Sequence, residues 1–435
     1  MEVRLRTLTP LWTGGVKGEC TKLRETSILG SLRWWFEAIV RGFGGYACDP
    51  TSNVKCELDA KKYNEGKDPK ELICPSCYVF GTTGWARRFR LKIDDSGFSE
   101  IKPTFIIRTR EEERHKGWFL GKEDSGGVLG EFTIGIYETY DMCKDLVLLL
   151  LHLSSLWGIG AKTQDGFGIC EFNGNYNIKN SISQIKYLID SSQNDQVSKG
   201  YNRDILPNLE DFFFAKIIIK ENIEDKIKNI LEGKLYKKVK DEKSNQFNIV
   251  NVDFEEFLNS IPEDNRGRFY PTAPLIRDWL RSLFRDGNDD LRHFLFGFVS
   301  IKGTPTPMCK KHLTHTIKEE INRFKCKSCK KIISKNEYFE KMSSKIFVSH
   351  IYKINNHWEF KIWGYIPEVL PNNENRDNVL EKLFDEIKTK KNFASILDLD
   401  QNSIEVEWYG ISTLRSEISS VNDLISNILE VNKDE

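Results

Sequence analysis

The chain has 435 residues, 39% hydrophobic and 12% aromatic, and its 64 basic and 64 acidic side chains cancel to zero formal charge. That length fits two or three domains with packed cores, and the charge balance excludes a uniform basic coat, so a polyanion must be met by local patches. Ten cysteines in so long a chain exclude a dense disulfide scaffold, and two C-x-x-C pairs point instead to metal or redox chemistry.

The opening Met1-Glu2-Val3-Arg4-Leu5-Arg6 alternates charged and apolar residues like a strand, not like a signal peptide. Residues 1–10 are therefore the first strand. Residues 28–42 follow with helical spacing of Ile28, Leu32, Trp35, Phe36, Ile39 and Val40, and Ser27 is a suitable cap. A cysteine-bearing insertion spans 43–77. Strands are predicted at 87–93, 103–110 and 131–139, then a helix from about Lys144 to Trp157 and a strand at 168–173. The apolar run Leu146–Leu151 is broken by His152, Ser154 and Ser155 before membrane-spanning length, so it reads as a buried helix. A cytoplasmic protein with no membrane partner is expected.

The second half repeats this grammar: a strand at 212–220, a helix at 273–285, strands at 345–354 and 357–366, a helix at 376–390 and a strand at 403–409. Each half is β-α-β-β-α-β, and the predicted fold class is α+β with two tandem ferredoxin-like (RRM-like) domains. The boundaries are 1–175, a polar linker at 176–208, and 209–435 with insertions at 221–268 and 303–340. A finer echo supports duplication. Leu32-Arg33-Trp34-Trp35-Phe36 resembles Ile276-Arg277-Asp278-Trp279-Leu280, and each half then carries an apolar pair ending in Phe-Gly, at Phe80-Gly81 and Phe296-Gly297.

Between the apolar helix and the next strand lies Gly158-Ile159-Gly160-Ala161-Lys162-Thr163-Gln164-Asp165-Gly166-Phe167-Gly168. Such a loop can aim several N–H groups and an ammonium at phosphates. It is neither a P-loop nor a dinucleotide fingerprint, because Ala161, Leu156 and Thr163 occupy required glycine positions. It reads equally as a tight helix-to-strand turn. Trp85-Ala86-Arg87-Arg88-Phe89-Arg90-Leu91-Lys92 carries four cations and no acid; alternation puts Arg88, Arg90 and Lys92 on one face. That pattern suits single-stranded nucleic acid, or simply a solvated strand. Arg24, Arg33 and Arg41 extend the patch, although Arg33 is also spaced to pair with Glu37.

Cys48, Cys56, Cys74 and Cys77 in one polar insertion suit structural zinc, as do Cys309, His312, Cys326 and Cys329, with His315 a competing ligand. Four protein ligands close such a site to water, so neither is a catalytic candidate. The seven histidines are scattered; His115 and His350 are the ones to consider for acid–base work, and no nucleophile–base set is visible.

At this point the chain resembles a known family. The Gly158–Gly168 loop, the Leu29-Gly30-Ser31-Leu32-Arg33-Trp34-Trp35 segment and the paired ferredoxin-like pattern are similar to the RAMP proteins of CRISPR systems. Leu8-Thr9-Pro10-Leu11-Trp12-Thr13-Gly14-Gly15 and Val79-Phe80-Gly81-Thr82-Thr83-Gly84-Trp85-Ala86-Arg87-Arg88 narrow this to the first subunit of the Cmr-type (type III-B) effector complex. The resemblance implies a non-catalytic RNA-binding subunit in antiviral defence, at the head of the complex near the guide RNA 3′ end. Its partners would be guide RNA, single-stranded target RNA and other RAMP subunits. It also implies that Gly158, Gly160, Lys162, Thr163, Gln164, Gly166 and Phe167 contact RNA, and that Arg24, Arg33, Arg87 and Arg88 line the groove. The alternative is a metal-independent endoribonuclease processing CRISPR RNA, for which the loop supplies no histidine.

Overall fold

Alternation makes the first segment a central strand: Val3, Leu5 and Thr7 are buried while Glu2 and Arg4 face outward. The computed structural model describes residues 1–15, 18–52, 55–102, 104–109, 117–122, 125–138, 144–192, 205–240, 247–285, 289–300, 305–320, 323–411 and 418–429. The principal elements, labelled in chain order, are β1 (Glu2–Thr7), α1 (Glu25–Gly42), β2 (Phe89–Glu100), β3 (Val128–Glu138), α2 (Lys144–Trp157) and β4 (Cys170–Asn173). The second set is β5 (Phe212–Ile219), α3 (Ala273–Ser282), β6 (Ile351–Ile354), β7 (His357–Tyr365), α4 (Arg376–Lys388) and β8 (Ile404–Gly410).

The first sheet runs β2-β3-β1-β4 and the second β6-β7-β5-β8, with Phe269–Tyr270 added beside β6. Every pairing is antiparallel, for example Leu5 with both Phe132 and Phe172, and Phe214 with both Trp363 and Tyr409. The second-third-first-fourth order occurs twice. It is the ferredoxin-like, split βαβ arrangement expected from the element order.

The two sheets do not stand apart. α2 is buried along Leu146–Leu151, and its terminal Trp157 packs edge-on against Phe214 of the second sheet, ring centres 4.8 Å apart. The Trp157 indole donates to the Ile428 carbonyl at 3.0 Å. A helix apolar all round is one covered on several sides, which explains the uninterrupted leucines. One hydrophobic core runs through both halves.

Four segments differ from the sequence expectation, one of them the strand expected at 345–354, which is two strands, Ile346–Val348 and Ile351–Ile354, each paired with β7. Helix α1 starts at Glu25 and places Ser27 in its first turn rather than at the cap. The expected strand at 103–110 is shorter, Phe105–Ile107, and leaves the first sheet. It pairs with Trp118–Leu120 on one side and Leu235–Lys240 on the other, in a four-stranded sheet completed by Phe247–Asn251. Insertion 221–268 is thereby tied to the first half, and it buries Ile227, Leu231, Phe254 and Phe257. Within the expected linker, Ile178–Ser191 is a helix capped by Asn177. It buries Ser181, Ile185 and Leu188, a helical stripe that polar composition outweighed in the linker reading.

Candidate nucleic-acid cleft and metal centres

The glycine-rich segment between α2 and β4 is held by close packing. Gly158, Gly160, Gly166 and Gly168 have φ of 117°, 84°, 102° and 88°, a region glycine enters without steric penalty. A Cβ on Gly160 would lie 2.5 Å from the Trp12 carbonyl oxygen, one on Gly166 2.5 Å from His350 Nδ1, and one on Gly168 2.2 Å from the Ile159 carbonyl oxygen. The loop thus closes on the first-strand connection and on the second domain together.

That closure divides the predicted RNA-contact residues. Lys162 donates through Nζ to the Gly121 carbonyl at 2.9 Å and lies 4.9 Å from the Trp12 ring centre; burial pushes its pKa down. Phe167 is buried edge-on against Trp12. Lys162, Gly166 and Phe167 therefore knit the loop to the protein. Gly158, Gly160, Thr163 and Gln164 instead line a cleft of about 650 Å³ between the domains. Its floor is aromatic: the partly exposed Phe347 stacks on Trp363 with ring centres 5.5 Å apart, and Trp34 meets Phe347 edge-on at 6.1 Å. The rim carries the exposed Gly30, Ala161, Val299 and Ser343. Ser31 Oγ, from α1, accepts from Gly160 N–H at 2.8 Å and anchors the loop to one wall.

The opposite wall is set by Arg277, a residue the sequence argument noticed only as half of a repeat. Its guanidinium is 3% exposed. It donates to the carbonyls of Gln164 and Ile346, both at 3.1 Å, and Phe296 at 2.8 Å. Burial lowers its pKa to about 10, with Asp165 opposing the shift. Burial also raises the Asp165 pKa, against the pull of Arg277 and Lys162. In the first half, Arg33 makes the matching contact, donating to the Gly81 carbonyl at 3.1 Å. Gly81 and Gly297 both have positive φ, 88° and 76°. In both halves the echoed arginine thus bonds a carbonyl of the Phe-Gly turn, one position apart, at Gly81 and at Phe296.

The cations expected to line the groove have mixed placements. Arg33 faces inward, bonding Glu37 Oε1 at 2.8 Å and Cys77 Sγ at 3.3 Å. Burial opposes its charge, but Glu37 and the thiols hold its pKa above the usual value. Arg87 pairs with Glu25 at 2.7 Å, in the first turn of α1, two residues before Ser27 of the cleft wall. Arg24 is the N-terminal cap of α1. Arg88 lies over the rings of Trp85 and Tyr78, 4.9 and 5.2 Å from their centres, while Arg90 and Lys92 are exposed on β2.

Cys48, Cys56, Cys74 and Cys77 converge, with their sulfurs all within 4.8 Å of one another and the residues buried. The Cys48–Cys77 and Cys48–Cys74 sulfur separations are 3.4 and 3.9 Å. Four thiolates around a tetrahedral ion with metal–sulfur bonds of about 2.3 Å stand roughly 3.8 Å apart, so these four could hold a metal ion. The Arg33 guanidinium against Cys77 offsets the charge of such a set. In the second half Cys309, His312 and Cys326 converge similarly, His312 Nδ1 lying 3.6 and 3.4 Å from the two sulfurs. Cys329 packs beside them but falls outside this mutually close set. His315 is not a competitor: its Nε2 pairs with His293 Nδ1 at 2.8 Å and its Nδ1 with the Thr306 carbonyl.

His350 lies against the glycine loop. Its backbone N–H donates to the Gly166 carbonyl at 3.3 Å, and Nδ1 accepts from Ala273 N–H at 3.2 Å. Burial lowers its pKa to about 3. His152 Nδ1 pairs with the Tyr176 hydroxyl at 2.8 Å, and His115 lies outside the described residues. No described helix is long and apolar enough to cross a membrane.

A domain built on this repeated fold, with a glycine-rich loop after its second helix, matches a recognised sequence family: residues 4–171 match the RAMP superfamily. The family resemblance read from the motifs is met over that part of the chain. Among solved structures, a crystal structure of Cmr1 from Pyrococcus furiosus in its apo form aligns at 11% identity and a TM-score of 0.32, covering 94% of this chain and 98% of that one. No curated protein sequence matches the chain.

Proposed function

We propose that the chain is a non-catalytic RNA-binding subunit of a type III-B (Cmr) CRISPR effector complex, at its head near the guide RNA 3′ end, contacting guide and single-stranded target RNA beside other RAMP subunits. The observation that carries the reading is the RAMP match over residues 4–171 together with the glycine loop's placement on an aromatic cleft between two ferredoxin-like domains. The motifs of residues 8–15 and 79–88 supply the type III-B assignment. A non-catalytic role is supported by the histidines: His350, against the loop, is 1% exposed and its Nδ1 accepts from Ala273 N–H, so it is not placed to act as a general base in the cleft. Both cysteine clusters are read as structural zinc, with Cys329 the fourth ligand proposed for the second set.

The test is anisotropy of a labelled single-stranded RNA against salt, with the full chain. Binding should weaken by at least tenfold between 50 and 200 mM salt, and Arg88→Ala with Arg90→Ala should lower the log–log slope by about two. Salt-independent or absent binding would sink the reading. Incubation with repeat RNA checks the endoribonuclease alternative, since site-specific products would favour it.

A further inference from the structure

The cleft has features that a general phosphate-binding surface does not need. Its floor is a set of rings, with Phe347 and Trp34 partly exposed above the stacked Trp363. Its polar lining includes Gln164, Asp165 and Arg277. Gln164 Nε2 bonds Asp165 Oδ2 at 3.2 Å, and Arg277, fixed by three carbonyls, keeps its buried Nε–H without an acceptor among the described residues. Trp118, whose ring lies 5.5 Å from the Arg277 guanidinium, likewise keeps a buried Nε1–H without one. A buried donor left unpaired is unfavourable, and both belong to side chains lining the cleft. The volume, about 650 Å³, lies within the usual range for ligand sites, roughly 300–1,000 Å³. A planar ligand with an apolar face and carbonyl or ring-nitrogen acceptors on its edge would satisfy both features.

We propose that this cleft takes an unpaired RNA base, its face stacked on Phe347 with Trp34 standing edge-on to that ring beside it, and its acceptor edge toward Arg277 and Trp118. The proposal rests on the RNA-binding reading and specifies how the strand is held. Phosphates stay at the rim, beside the exposed Gly30 and Ala161, while one base is drawn out of the strand. Base–aromatic stacking tolerates any sequence because every base has a π-face, so the site distinguishes a base from its absence more than one base from another.

The test compares, for the full chain, a labelled decauridylate with a ribose-phosphate strand of equal length and charge lacking its bases. The base-bearing strand should bind at least tenfold more tightly. Decauridylate containing 4-thiouridine should photocrosslink to Trp34, Phe347 or Trp118, as mapped by mass spectrometry. Because Trp34 also packs on Trp35 and Phe212, the variant for binding is Ala161→Trp on the exposed rim. It should reduce decauridylate affinity about tenfold by filling the mouth. Equal salt-dependent binding of both strands, or crosslinks confined to β2, would overturn the base site and leave the RNA-binding reading standing. Absence of salt-dependent binding to either strand would remove that reading and this one with it.

Discussion

Arg33 and Arg277 show how far a single residue type can mislead. An arginine beside tryptophans reads as a nucleic-acid contact, yet each guanidinium is turned into the protein to hold a turn carbonyl. The repeat of the motif, rather than the charge, carried the information. The cysteines were legible because four thiols recur within one short polar insertion, although the structure packs them into the main core, and their convergence is a residue-scale prediction. Cys74→Ser should remove one equivalent of bound zinc, measured by plasma mass spectrometry, and lower the thermal midpoint by roughly 5 °C or more. Cys20→Ser should leave the metal content unchanged, since Cys20 lies beside Thr13 and outside both clusters. His350 gives a pH prediction. Its folded pKa of about 3 lies below the ordinary 6.5, so the unfolded chain binds the proton first as pH falls. Stability is complete above about pH 6.5 and declines by about 1.4 kcal/mol per pH unit below it. Chemical denaturation between pH 7 and 5 should show this, and His350→Asn should flatten the His350 contribution. An unchanged slope in the variant would show that His350 is not the titrating group.

Elements were legible where one face is buried and one is wet. β1 alternates, and α4 buries only the stripe Val379, Leu380, Leu383 and Ile387, so both were readable. Ile178–Ser191 was read as linker from its Asn, Ser and Gln content, although Ile178, Ile182, Ile185 and Leu188 follow helical spacing behind the Asn177 cap. The glycine loop was visible as composition, but its role was ambiguous until its neighbours were known. It is a packed turn on one side and a cleft wall on the other. Gly168→Ala should therefore destabilise the protein by at least about 3 kcal/mol, because positive φ combines with a 2.2 Å overlap on the Ile159 carbonyl oxygen. Gly44→Ala has a similar φ, 77°, but no atom within 4 Å, and should cost only about 1–2 kcal/mol. Urea unfolding of the pair separates crowding from backbone strain, and equal losses would refute the packing argument.

At the scale of the molecule, the halves behave as one unit. Strands from residues 105–107 and 118–120 share a sheet with strands from 235–240 and 247–251, and α2 is covered by the second domain through Trp157. A protease site inserted between residues 196 and 197 should therefore give two fragments that co-elute on size exclusion after cleavage and separate only in denaturant. Fragments that part in native buffer would contradict a shared core. The amino-acid sequence alone determined the duplicated β-α-β-β-α-β order, the two cysteine groups and the RAMP likeness, because these depend on periodicity and on residue types recurring at short spacing. Tertiary structure alone decided which predicted residues face the cleft, that Arg277 joins them, and that insertion 221–268 bridges the halves. Those outcomes depend on contacts between segments a hundred or more positions apart, such as Arg277 with Gln164 and Trp157 with Ile428, and no local pattern records them.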